Sequence, residues 1–420
     1  MTDRRPLEDL LRELSPQVLG VVLRRYGDLD AGEDAVQEAL LEASQSWPVH
    51  GVPERPLGWL VTVAGRRLLD HWRSAAARRG REQRDHERTP DHARLAAPAD
   101  EALGEQDDSL ALMLMCCHPS LSRPSQVALT LRAVGGLTTA EIARALLVPE
   151  TNIAQRISRA KRQVRDAGAT FAVPVPGELD ERVAAVLSVL YLVFNEGYAA
   201  SSGDALYRVD LTSEAIRLTR MLATQLPAHG EVGGLLALML LTAARDPART
   251  TTGGDLVPLD AQDRSLWRRD LIAEGTSMVE RTLASAPLGP YQMQAAIAAV
   301  HDEAASAQDT DWPQVLALYQ VLERLDPSPM VRLGTVVATA MVHGPAAGLE
   351  LLARLAKDPV LAEHHRRYAV LGHLLERAGR PGEAAEAYQQ AAQRTLNLSE
   401  QRYLRTAARR LDHKGASQCT

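Results

Sequence analysis

Aromatic side chains are scarce in this sequence, 4% of 420 residues with only two phenylalanines, and Ala, Leu, Arg and Glu dominate instead. That balance favours helices, leaves little material for sheets, and excludes an all-β protein. Cysteine is almost missing: Cys116 and Cys117 are adjacent, and Cys419 lies near the end. Three such positions build no disulfide framework and fit a reducing cytoplasm. Long apolar runs are lacking too. The most apolar stretch, Val232 to Ala244, is too short and too glycine-interrupted to cross a bilayer, and the opening MTDRRPLEDLL has no apolar signal-peptide core. A cytoplasmic location with no membrane partner is expected. Nor is there an excess of positive charge. Lys plus Arg number 47 against 53 Asp plus Glu, a net charge of −6, which excludes a nucleic-acid packaging protein and turns attention to local charge.

What is present is enough apolar material, 45% of residues, to exclude a disordered or fibrous chain and to support two to four domains, on a prior of roughly 150 residues each. Composition changes along the chain mark the boundaries. Residues 1–75 read as amphipathic helices. Residues 76–109 read as a linker, first arginine-rich (Arg78, Arg79, Arg81, Arg84, Arg88) and then acidic (Asp100, Glu101, Glu105, Asp107, Asp108), without an apolar stripe. Helical periodicity returns over 110–170 and is broken by the two prolines of Phe171-Ala-Val-Pro-Val-Pro-Gly177. From 178 to 420 the chain reads as successive helices separated by Gly, Pro and Asp-Pro turns. Within it, Tyr368, Leu371, Gly372 and Leu375, then Ala384, Tyr388 and Ala391, approximate the tetratricopeptide pattern, with a fainter copy at Leu333-Gly334, Ala346 and Ala353. An ordinary bundle of Ala-rich helical hairpins fits the same residues.

Residues 136–165, GLTTAEIARALLVPETNIAQRISRAKRQVR, divide into a helix, a short turn and a second helix. Thr138 or Thr139 caps the first helix, Glu141 lies in its first turn, and Ile142, Ala143 and Leu146 form its buried stripe. Leu147 to Glu150 form the turn, where Pro149 suits the start of a helix because its missing N–H needs no partner there. Ile153, Ile157, Ala160 and Val164 recur at helical spacing and predict the seam of the second helix. Arg156, Arg159, Lys161, Arg162 and Arg165 supply cations, with no acid between Thr151 and Arg165. A helix of this kind places its first turns in the major groove while its cations neutralise phosphates, and the short polar Asn152, Gln155 and Ser158 suit base edges.

Two further helices precede it. Asp28, Asp30, Glu33, Asp34, Glu38 and Glu42 fall in a stretch free of Lys and Arg, interleaved with Ala35, Val36, Ala39 and Leu40. One face is apolar and the other is acidic, which makes either a solvated surface or a docking site for a basic partner. The segment 56–73, PLGWLVTVAGRRLLDHWR, then joins Trp59, Leu60, Val63 and Leu68 for packing with Arg66, Arg67 and Arg73, a mixture suited to opened or bent nucleic-acid strands. Trp59 is expected mainly to pack, whereas Trp72 is left open between a core and a surface position.

In this order, the acidic helix DAGEDAVQEALLEA, the tryptophan helix, the polar linker and the helix-turn-helix resemble the two domains of an extracytoplasmic-function sigma factor over about the first 170 residues. YLVFNEGYAASSG, GPYQMQAAIAAVHDEA and TDWPQVLALY resemble the extension of the subgroup with tetratricopeptide-like C-termini. The resemblance implies an all-α fold with two small helical sigma domains, the second a helix-turn-helix, followed by a helical-hairpin or tetratricopeptide-like domain. It implies a bacterial cytoplasmic protein, without catalytic residues, metal or cofactor, that binds RNA polymerase core and promoter DNA. By the same resemblance Asp30, Glu33, Asp34, Gln37 and Glu38 would meet polymerase, and Trp59, Arg66, Arg67 and Arg73 would handle the minus-ten element. Ala154, Gln155, Ser158 and Arg159 would read the minus-thirty-five element, and Asn152, Arg156 and Lys161 would hold its phosphates. Two departures bear on promoter choice: Arg66 and Arg67 stand where relatives often carry Asn, and Ala154 is small where others have a longer polar residue.

Some features invite other readings. Cys116-Cys117-His118 carries zinc-ligand types, but adjacent helical residues diverge by about 100°, and no second ligand pair follows. A packed helix end is expected there. Glu196 beside Tyr198 suggests catalysis only weakly, since Gly197 reads equally as a break between helices, and no nucleophile, base and orienter can be assembled. There is no Walker loop or dinucleotide glycine motif. His364 and His365, among arginines, are expected at the surface. Two alternatives stay open: a stand-alone helix-turn-helix regulator with a helical sensor domain, and a pure interaction scaffold. The long extension is expected to regulate by receiving a protein partner or by lying on the sigma domains.

Overall fold

A computed structural model describes residues 4–82, 108–169, 171–198, 209–251 and 253–417. The linker charges Arg84, Arg88, Asp100, Glu101, Glu105 and Asp107, the end of the 191–203 segment, and Cys419 lie outside them. Among the described residues there is no β-strand, only an isolated bridge between Thr250 and Leu256. The helices fall into two compact units, Met1–Val189 and Leu190–Thr420.

The first unit begins with α1 (Arg4–Tyr26), α2 (Leu29–His50) and α3 (Pro56–Glu82). Asp28 caps α2 by accepting from the amides of Asp30 and Ala31, and Gly51 ends it at φ 86, where a side chain would be strained. Val18, Val22, Val36, Ala39, Leu60, Ala64 and Leu68 form a buried core among these three helices. Then follow α4 (Ser109–Cys116), α5 (Arg123–Ala133), α6 (Thr139–Leu146), α7 (Glu150–Asp166) and α8 (Pro176–Tyr198). The last of these crosses from the first unit into the second.

Sequence boundaries and structure differ in three places. The tryptophan helix α3 continues beyond the expected edge at 75 to Glu82. The two sequence-defined domains pack as one unit, since α1 lies against both α4 and α5. Gly197 is not a break: it lies inside α8, where a Cβ would run into the backbone of Thr212, so its missing side chain permits close helix approach.

The second unit continues through α9 (Val209–Gln225), α10 (Gly230–Ala243), α11 (Arg269–Ser285), α12 (Pro290–Glu303), α13 (Trp312–Leu325) and α14 (Pro329–His343). It ends with α15 (Pro345–Leu355), α16 (His365–Arg377), α17 (Pro381–Arg394) and α18 (Leu398–Ser417). The apolar run Val232–Ala244 forms α10, the buried centre of the first half, packed on α9, α11 and α12. From α12 onward each helix packs on its sequence neighbours. Prolines in the first turn of α12 to α15 and α17 set the starts, where a lost amide costs nothing. Gly372 admits the Tyr388 ring, 2.8 Å from where a Cβ would stand, in the α16–α17 core of Tyr368, Leu375, Ala384 and Ala391. His364 and His365 depart from expectation: they are half-buried, with rings stacked 4.7 Å apart.

Candidate nucleic-acid interface

The helix-turn-helix is built by local rules. Thr138 accepts from the Glu141 amide while the Glu141 carboxylate accepts from the Thr138 amide at 2.7 Å, a reciprocal cap that starts α6 at its first residue. Leu147 ends α6 in the left-handed region at φ 50, the one non-glycine residue with positive φ among those described. Pro149 then stands at the N-cap position of α7, without a side-chain cap bond. Ile142 and Ala143 of α6 and Ile153, Ile157, Ala160 and Val164 of α7 are buried as the periodicity predicts, while Leu146 is half-buried.

Of the residues expected to meet DNA, Asn152, Ala154, Gln155, Ser158 and Arg159 are exposed on α7 and Arg156 is half-buried. A shallow hollow on this face is lined by Ala154, Gln155, Ser158, Arg159 and Arg162. Arg159 lies against Gln155, its Nη2 3.4 Å from Oε1, which presents a donor fork and an amide side by side. Lys161 is different. It is only 7% exposed, and its Nζ donates to Glu33 at 2.6 Å and to Asp30 at 3.0 Å. Burial alone would lower the Lys161 ammonium, but Glu33 and Asp30 outweigh it and hold its pKa above the ordinary lysine value. In this arrangement its head faces α2, not solvent.

The acidic helix is correspondingly divided. Asp34 and Glu38 are exposed and Gln37 is half-buried, whereas Glu33 is 2% exposed. Its Oε2 receives Lys161, and Arg132 of α5 brings Nε to 2.6 Å from Oε1 as an ion pair whose N–H is not aligned along the contact. Burial, offset by Lys161, raises the Asp34 carboxyl above its usual range. On α3, Arg66, Arg67 and Arg73 are exposed. Arg67 reaches back to α2, 2.7 Å from Glu42 and 3.7 Å from Glu38, and Arg73 pairs with Asp70 at 3.1 Å. Trp59 is half-buried, edge-on to Trp47 at 5.5 Å, and Trp72 likewise packs edge-on to Tyr26 at 5.8 Å.

Arg132 was not among the sequence candidates, and neither was Arg24, which pairs with Asp108 at 2.9 Å. No spacing rule links residues so distant in the chain. For Lys161 a signal existed: it follows Ile157 by four and so shares the buried seam. Cys116 and Cys117 are fully buried, with Cys117 Sγ 3.5 Å from Thr130 Oγ1, and burial pushes the Cys117 thiol up to about 11.

Comparison with known proteins matches residues 10–78 to sigma-70 region 2, residues 111–164 to sigma-70 region 4, and residues 182–283 to a family of unknown function (DUF6596). The ECF RNA polymerase sigma factor SigL of Mycobacterium tuberculosis is 33% identical over 144 residues, which is 34% of this chain and 77% of SigL. The probable ECF RNA polymerase sigma factor SigI of the same species is 28% identical over 169 residues, 40% of this chain and 57% of SigI. An uncharacterized protein of Rhizobium meliloti is 40% identical over 430 aligned positions, spanning 100% of this chain and 98% of that protein.

Proposed function

Because the chain belongs to the extracytoplasmic-function sigma-70 family, we propose that its helices divide the work of promoter recognition among named residues. The family role is that of a non-enzymatic transcription initiation factor whose partners are RNA polymerase core and promoter DNA. In the proposed division, Asp30, Glu33, Asp34, Gln37 and Glu38 on α2 meet polymerase. Trp59, Arg66, Arg67 and Arg73 on α3 engage the minus-ten element. Ala154, Gln155, Ser158 and Arg159 read the minus-thirty-five element, and Asn152, Arg156 and, once released, Lys161 hold phosphates. The observation that carries this reading is the face of α7, where short polar side chains and two arginines stand exposed around one hollow.

Residues 178–420 act in this reading as a regulatory extension, a tetratricopeptide-like platform for a protein partner. Its motive is size, since it exceeds both sigma regions together. No helix among the described residues is long and apolar enough to cross a membrane, and the reading puts the chain with polymerase in the bacterial cytoplasm.

Co-purification with core polymerase followed by run-off transcription tests the assignment. Arg159→Ala is expected to lower minus-thirty-five-dependent transcription by roughly ten- to a hundredfold, the loss of one good base contact of about 1–3 kcal/mol, while leaving core binding intact. Full activity of Arg159→Ala would remove it from base reading. Removal of 178–420 is expected to change promoter-directed output, and unchanged output in every condition would end the regulatory reading.

A further inference from the structure

The last helix carries a second row of cations, far along the chain from regions 2 and 4. Over residues 401–411 α18 reads QRYLRTAARRL, four arginines with no acid. Leu404, Ala407, Ala408 and Leu411 form its buried seam, and Arg402, Arg405, Arg409 and Arg410 are exposed. By helical period, Arg402, Arg405 and Arg409 fall within about 60° of one another on the side away from that seam. The surroundings share the sign. Residues 365–417 hold ten Lys and Arg against five Asp and Glu, whereas 190–364 hold thirteen against twenty-one. Acids close by are engaged elsewhere: Glu376 with Arg410 at 2.7 Å, Glu383 with Arg380, and Glu400 with Thr395 at 2.8 Å. Arg409 reaches the Arg405 carbonyl and the Thr406 hydroxyl, and neither Arg405 nor Arg409 pairs with a carboxylate among the described residues. Arg402 meets Asp255 at 3.5 Å in a pair open to water on both sides, which exchanges readily. Asp412 is exposed about one turn beyond Arg409. Like charges three and four residues apart repel, so the row destabilises its own helix until an anion lies along it.

We propose that the Arg402–Arg405–Arg409 row is a binding surface for the phosphate backbone of duplex DNA. From Arg402 to Arg409 the helix rises about 10 Å, and over that length of duplex each strand presents about three phosphates. Three guanidinium groups therefore meet three phosphates, each with paired N–H donors to offer. An acidic protein surface is the poorer match. Protein interfaces are anchored by aromatic and apolar side chains, and on α18 the exposed large apolar residue is Leu398, 40% exposed, at the helix start. Backbone contacts of this kind add affinity without choosing sequence, which stays with base-reading groups elsewhere. The inference goes beyond the reading of 178–420 as a platform for a protein partner, and it stands without the assignments of α2 and α7.

The test uses the full chain and a short random-sequence duplex, without polymerase, with affinity followed by fluorescence anisotropy across a salt series. Arg402→Gln, Arg405→Gln and Arg409→Gln together are expected to lower the slope of log affinity against log salt by about 2.7, the share of three phosphates, and to weaken binding at low salt by at least about tenfold. Lysine at the same three positions is expected to keep most of the slope, because the slope counts charges. The comparison is repeated on an Arg156→Gln, Arg159→Gln background, so that α7 does not mask the effect, and an unchanged slope there overturns the proposal. Should circular dichroism show the triple variant unfolded, Arg405→Gln with Arg409→Gln, which breaks no ion pair, carries the same comparison with an expected drop of about 1.8. Phenylglyoxal, which modifies arginine, locates the contact by mass spectrometry. Duplex DNA is expected to shield Arg405 and Arg409, and poly-glutamate is not. Shielding by poly-glutamate at equal or lower charge concentration, or none by DNA, overturns the proposal in favour of an acidic protein partner or of solvent. If the row variants lose DNA while the parent chain never binds core polymerase, the sigma-factor assignment of α2 falls and the DNA surface on α18 stands.

Discussion

His301 shows how a single side chain couples this protein to pH. Burial, with Arg245 and Arg264 close by, lowers its imidazole from 6.5 to about 4, while the ring packs edge-on to Trp312 at 5.3 Å. The folded state therefore keeps His301 neutral where the unfolded chain takes up a proton. Its contribution to stability is complete above pH 6.5 and is lost as pH falls toward 4, a swing on the order of 3 kcal/mol. His364, His365 and His373, also held low by burial, act in the same direction, and Asp246 and Asp302, raised by burial, oppose it at the acid end. His301→Gln should flatten the fall in urea-unfolding free energy between about pH 6.5 and 4.5, and an unaltered slope would assign the effect elsewhere. At this scale the α7 seam was readable, because Ile153, Ile157, Ala160 and Val164 obey the helical period. The partner of Lys161 was not, because Glu33 lies far away in sequence and only folding brings the two within bonding distance.

The helical elements show which local rules the chain obeys and which it overrides. The sequence left the cap of α6 between Thr138 and Thr139, and the structure gives it to Thr138 in a reciprocal box with Glu141; Thr138→Ala is expected to cost about 1 kcal/mol by leaving a first-turn amide unsatisfied. Leu147 is the exception. It is 53% exposed in a left-handed conformation that residues with a side chain adopt at a cost. Leu147→Gly should stabilise the first unit by about 0.5–1 kcal/mol, since little buried surface is lost and the turn is kept. Thermal melting of both variants checks these opposite signs, and a loss of stability in Leu147→Gly would show the leucine to be held by contacts that outweigh its strain. Gly197 illustrates the reverse error: glycine suggests a break, but in α8 it serves close approach to Thr212, a reason that exists only once α9 is in place.

For the whole molecule, the division into Met1–Val189 and Leu190–Thr420 makes these effects separable. Each unit has its own buried core, so calorimetry should resolve two transitions. Leu147→Gly is expected to move one and His301→Gln, at acidic pH, the other. A single transition that shifts with both substitutions would mean that the units unfold as one. The all-α class, the helix-turn-helix, the acidic and tryptophan helices and the two-proline break were available from composition, period and turn chemistry, since these depend on neighbours within a few residues. Tertiary structure alone decided that the two sigma regions pack into one unit, that Glu33 lies buried between Arg132 and Lys161, and that Arg67 turns back to Glu42. Charge pairing between distant segments follows no sequence period, and it exists only where packing has already brought those groups close together, buried at Glu33 and Lys161 and exposed at Arg67 and Glu42.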